Sequence, residues 1–152
     1  MKVLQIIDNH IERSFARADV NTVIVLIQRP RDEEKKTIWD NVVRFVAYKK
    51  PFEEVIKPEN QRFIETTEGE VRAKEELRVY PVAQKGLFLE GVEIEMVEAR
   101  CNLPLDFNSP ENLEYRGGKW EGKYLRASDI FFTILEKGKG KLVRLVDIAE
   151  VR

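Results

Sequence analysis

The sequence predicts an α/β domain with a mixed or antiparallel sheet and a few short helices. Three patterns carry that expectation. Apolar runs of strand length recur at residues 3–7, 23–27 and 41–48. Helical spacing follows them, at Phe52, Val55 and Ile56 and again at Phe63 and Ile64. A hydrophobic content of 43% over 152 residues is enough to bury a core of single-domain size. The expected sheet has about four to six strands, the usual size.

Residues 3–7 open the chain as a strand, which the turn pair Asp8-Asn9 ends. The connection at 9–18 is too short for a packed crossover helix, so the run at 23–27 is expected to lie antiparallel beside the first strand. That run, Val23-Ile24-Val25-Leu26-Ile27, is unbroken aliphatic and is stopped by Pro30. It reads as a strand buried on both faces. Asp32-Glu33-Glu34-Lys35-Lys36 is a solvated turn or short helix.

The third strand alternates, with Val43, Phe45 and Ala47 on one side and Val42, Arg44, Val46 and Tyr48 on the other. Pro51 ends it, and Pro58 is placed to begin a second short helix. Residues 77–83 form a strand that Pro81 demotes to an edge or a bend. A helical turn at 84–91 and a weak strand at 92–97 follow. Pro104, Pro110, Gly117, Gly118 and Gly122 then punctuate a long connection. Ser128 or Asp129 caps a helix with Ile130, Phe131, Ile134 and Leu135 on one face, and Gly138 closes it. An extended segment at 142–151 ends the chain. A chain that starts inside its sheet and stops in a strand-like segment is expected to be a piece of a larger fold, with self-association into a homo-oligomer covering what that fold would cover.

Twenty-six basic residues balance 27 acidic ones, so nucleic acid is not attracted globally and any DNA affinity comes from a local patch. The best patch is Lys119, Lys123 and Arg126 interleaved with Trp120 and Tyr124, cations for phosphates beside aromatics. The competing reading is a connector that packs its Trp and Tyr on the domain below. Adjacent carboxylates such as Glu53-Glu54 diverge on a helix and make no acid/base pair. Gly117-Gly118 lacks the strand before and helix after that a nucleotide loop requires. Cys101 is alone, which excludes an internal disulfide and a multi-cysteine metal site and suits a reducing cytoplasm. His10 has no serine or cysteine nucleophile pattern near it. No apolar run nears the ~20 residues that span a bilayer, so no membrane partner is expected.

The stretch Arg13-Ser14-Phe15-Ala16-Arg17-Ala18-Asp19-Val20-Asn21-Thr22-Val23-Ile24-Val25 presents one aromatic in a polar loop that feeds a strand. By pattern alone Phe15 is a core or loop anchor. The stretch resembles a motif late in the catalytic domain of adenine-specific (N6) DNA methyltransferases of restriction-modification systems, type IIG and Taq-type. Residues 118–132 are similar to that family's segment between catalytic and target-recognition domains, and residues 145–152 to the start of the recognition domain. The resemblance implies a division into 1–99, the C-terminal part of a Rossmann-like methyltransferase domain; 100–126, a connector; and 127–152, a helix and strand leading into target recognition. It also implies that Phe15 stacks on an adenine flipped from the duplex, that Asn21 and Thr22 shape the loop and start the strand, and that Asn21 is a candidate DNA contact.

The family's Asn-Pro-Pro-Tyr motif, its glycine-containing cofactor turn and any nuclease motif are absent from the sequence. The expectation is therefore a fragment, inactive alone, that binds no S-adenosylmethionine itself although the complete enzyme uses it. Its partners would be DNA and the missing methyltransferase portion or a complementing chain. The alternative is a free-standing structural or interaction module that keeps the fold without the catalysis.

Overall fold

The computed structural model describes residues 1–9, 23–92, 115, 117, 118, 120–143 and 148. A five-stranded mixed sheet organises them. Its strands are β1 (Lys2–Asn9), β2 (Val23–Gln28), β3 (Val42–Tyr48), β4 (Arg72–Ala73) and β5 (Leu77–Ala83), arranged in space as β2-β1-β3-β5-β4. β1 and β3 are parallel and the other neighbours antiparallel. The antiparallel pairing of β1 with β2 is the one the short connection predicts. A 3₁₀ helix, Asp32–Asp40, lies in the longer link from β2 to β3, which joins β1 on its other side.

Alternation along β3 divides the core into two layers. Val46 and Tyr48, with Ile7 of β1 and Leu77 and Val79 of β5, pack under α1 (Phe52–Val55) and α2 (Pro58–Glu65) through Val55 and Ile64. Val43 and Phe45, with Ile6, pack in a second cluster with Leu87 of α3 (Gln84–Glu90) and with Tyr124 and Leu125 of a π-helical turn, Glu121–Leu125. β3 is thus buried from both sides, which the apolar residues on each of its two faces permit. Pro58 stands in the first turn of α2, where its missing N–H has no helical partner to lose.

A polar knot ties the N-terminus to this frame. The Gln84 side-chain carbonyl accepts from Val3 N and from Asn41 Nδ2, both at 3.0 Å, and Asn41 Nδ2 also donates to Val3 O at 2.7 Å. Gln84 Nε2 donates to Met1 O at 2.9 Å. The start of β1 is therefore held by the residues that flank β3 and α3. At the far end of α3, Gly91 leaves space that any Cβ would take from the Tyr115 ring.

The structure corrects three expectations. Asp8 and Asn9 do not turn the chain after β1 but continue it, Asp8 opposite Val23 and Ala47 and Asn9 opposite Tyr48. Residues 23–27 are not buried on both faces: Ile24, Val25, Leu26 and Ile27 are 37–53% exposed, because β2 is the rim of the sheet. The last helix, α4 (Asp129–Lys137), begins after Ser128 and ends at Gly138 as expected, but its stripe of Ile130, Phe131, Ile134 and Leu135 faces outward. Phe132 is the residue it buries, against Tyr80 with ring centroids 5.0 Å apart. Pro81 sits in β5 opposite Arg44 of β3, while β4 pairs only with Arg78 and Val79. The proline therefore lies where β4 does not continue, and its missing donor leaves no gap in that ladder. Of the weak strand at 92–97, Val92 makes a single bridge to Tyr115 and the rest lies outside the described residues.

Candidate functional site

Arg78 lies in β5 on the face that carries Tyr80 and Val82, so an inward-facing cation has to be neutralised there. Its guanidinium is 4% exposed and makes two charge-assisted bonds, Nη1 to Asp129 Oδ1 and Nη2 to the Leu125 carbonyl, both 2.7 Å. It also lies 4.4 Å from the Phe132 ring centroid, and its Nε is buried without a partner. Asp129, the first residue of α4, takes a second cation, Lys49 Nζ at 2.6 Å. Bonding from Lys49, with that from Arg78, holds the Asp129 carboxyl below its ordinary range against the opposing effect of its partial burial.

Beside this cluster a cleft of about 460 Å³ opens between the β4–β5 side of the sheet and α4. Arg78, Tyr80, Asp129, Phe132, Glu136 and Lys139 are among its walls. Its chemistry is modest. Both Nη groups of Arg78 are engaged, and Asp129 stays ionised between two cations, so it is poorly placed to accept or donate a proton near neutral pH. The cluster works as a clip that fastens the start of α4 and the end of the π-helical turn to β5.

The π-helical turn is held by a second polar group. Glu90 of α3 accepts from both Lys123 and Tyr124 through Oε1, the phenol at 2.6 Å. Burial first, and then the bond to Glu90, push the Tyr124 phenol up to about 12. The Tyr124 ring rests on Phe45 and Tyr80, at 4.7 and 5.0 Å between centroids, and Trp120 packs on the same cluster. The aromatics of the candidate phosphate patch thus pack on the domain, the second of the two readings the sequence left open. Lys123 points its charge at Glu90, while Arg126 is exposed just before α4. Lys119 lies outside the described residues, as do Phe15, Asn21 and Thr22, together with His10 and Cys101.

Among the described residues no group of three or more His, Cys, Asp or Glu is placed to hold a metal, and no helix is long and apolar enough to cross a membrane. Nor do they fit S-adenosylmethionine: none of the five strands is followed directly by a glycine, the residue that lets a backbone turn close on a nucleotide cofactor. Sequence reasoning missed the Arg78–Asp129–Lys49 clip. Its one available signal was an arginine on the Tyr80 and Val82 side of an apolar strand. No family model, curated protein or solved structure matches this chain.

Proposed function

We propose that the chain is part of a restriction-modification DNA adenine-N6 methyltransferase, the C-terminal portion of a Rossmann-like catalytic domain. In this reading it supplies the target-base-stacking loop and the link to the DNA-recognition domain and does not methylate alone. Phe15 is the stacking wall for the flipped adenine, and Asn21 shapes its loop. Lys119, Lys123 and Arg126 contact DNA phosphates, Lys123 by exchanging its pairing with Glu90. The transferable methyl group of S-adenosylmethionine is held by residues elsewhere in the enzyme.

The observation that carries this reading is β2. The strand that follows Ala18-Asp19-Val20-Asn21-Thr22 is aliphatic and exposed on both faces at the rim of the sheet. That is how a strand looks when its sheet continues in another part of the protein. The same exposure also suits the second reading, a free-standing interaction module.

Two measurements separate them. Calorimetric titration of the isolated chain with S-adenosylmethionine should release no binding heat; saturable binding would contradict the proposed division of labour. A duplex with one unpaired adenine should bind the chain, and Phe15→Ala should weaken that binding about 5- to 150-fold, the value of one lost stacking contact of ~1–3 kcal/mol. Equal affinity for a fully paired duplex, unchanged by Phe15→Ala, would favour the interaction module.

A further inference from the structure

Among the described residues the sheet ends in β2, a strand that is apolar above and below. Ile24 and Leu26 project to one face of β2 and Val25 and Ile27 to the other, each between 37% and 53% exposed. A helix or a small ligand laid on the sheet would cover one of these pairs and leave the other wet. An additional strand covers both at once, since it extends both faces while pairing the open backbone edge. The kind of occupant therefore follows from the two-sided exposure.

For the isolated chain, which lacks the continuation of the sheet assumed above, we propose that this strand is β2 of a second copy, paired antiparallel about a two-fold axis perpendicular to the sheet. Such an axis keeps each face on its own side, so opposed residues must share parity. Centred on Val25, the pairing sets Val25 against its own copy, Ile24 against Leu26 and Val23 against Ile27. Every opposed pair is aliphatic and four of the five residues are β-branched, a combination that favours cross-strand contact. From Val23 to Gln28 there is no charge, proline or glycine, so the strand's own sequence carries none of the residues that usually blunt an edge. A net charge of −1 adds almost no repulsion between copies.

Another exposed apolar surface, on α4, lies beyond β5 toward the opposite rim. Joining it to β2 of another copy would be a head-to-tail contact that does not close, whereas β2 against β2 closes at two. A six-residue strand pairing is small as interfaces go, so the dimer should dissociate on dilution.

Sedimentation of the isolated chain over a concentration series tests this. The weight-average mass should climb from 17.8 kDa toward twice that value. Val25→Lys should hold the chain at the monomer mass with an unchanged circular-dichroism spectrum, because the site is half exposed and accepts a long side chain without repacking. Ile134→Lys on α4 should leave dimerisation intact. A wild-type chain that stays monomeric at every concentration overturns the proposal, as does association abolished by Ile134→Lys, or growth past the dimer. These outcomes concern mass alone and leave the DNA reading to the cofactor and oligonucleotide titrations.

Discussion

β2 and β3 are nearly the same length and both strongly apolar, yet they have opposite fates. β3 is covered by α1 and α2 on one face and by α3 and the π-helical turn on the other. β2 leaves five of its six residues exposed. The contrast shows that a strand's own pattern encodes its capacity to be buried, whereas burial depends on what the rest of the chain lays over it. The unbroken aliphatic run looked like the more central strand, and the alternating one, carrying Arg44, turned out to be central. Arg44 is accommodated there because its guanidinium reaches the carbonyls of Glu65 and Thr67 at the end of α2.

The sharpest way to break this comparison is to perturb one apolar side chain in each strand. Phe45 is fully buried among Tyr124, Trp120 and the second cluster, and Phe45→Ala should destabilise the fold by about 3–5 kcal/mol, transfer and cavity effects together. Val25→Thr, an exposed change of similar volume, should move stability by no more than about 0.5 kcal/mol at low protein concentration. Urea denaturation of both variants reads the difference. Comparable losses would mean that β2 is covered in the monomer.

A second test asks how the cover over the Phe45 face is attached. Arg78→Met keeps an unbranched apolar side chain but removes the bonds to Asp129 and to the Leu125 carbonyl, and should cost about 2–3 kcal/mol. Asp129→Asn should cost less, on the order of 1 kcal/mol, because its carboxylate is about half exposed and solvent screens the pairs. Hydrogen exchange should quicken in α4 and the π-helical turn in both variants before it changes in β1 or β2. Uniform acceleration would show that the clip is not local.

Local chemistry made much of the architecture legible. The short link after β1 predicted the β1–β2 pairing, although Asp8 and Asn9, read as a turn, continue the strand; Pro58 marked the start of α2, and Gly138 marked the end of α4. What could not be read were relations between distant segments. The inversion of α4 depends on Phe132 finding Tyr80, and the clip depends on Lys49, Arg78 and Asp129 meeting from three separate stretches. Spacing along the chain carries no record of either. The candidate base-stacking residue, Phe15, was selected by resemblance, since a lone loop aromatic has no periodicity to betray its role.

The smallest expected effect concerns the cover itself. In the folded chain the Tyr124 phenol is pushed up to about 12, while an unfolded tyrosine titrates near 10, so between those values the folded state binds the extra proton. Stability supplied by this group is therefore complete below about pH 10 and declines as pH rises through the folded value, by about 1 kcal/mol at roughly pH 11. Tyr48, raised by burial, acts in the same direction on the other face. Tyr124→Phe keeps the ring against Phe45 and Tyr80 but has no proton to lose. It should be less stable than the parent near neutral pH, having lost the bond to Glu90, and should show a shallower decline at alkaline pH. The exposed residues of β2, Ile24 to Ile27, are not part of the cluster around Tyr124, so any β2-mediated association should persist over the pH range in which the chain remains folded. An equally steep decline in Tyr124→Phe would place the alkaline loss elsewhere and would remove Tyr124 as the hold between the π-helical turn and the sheet.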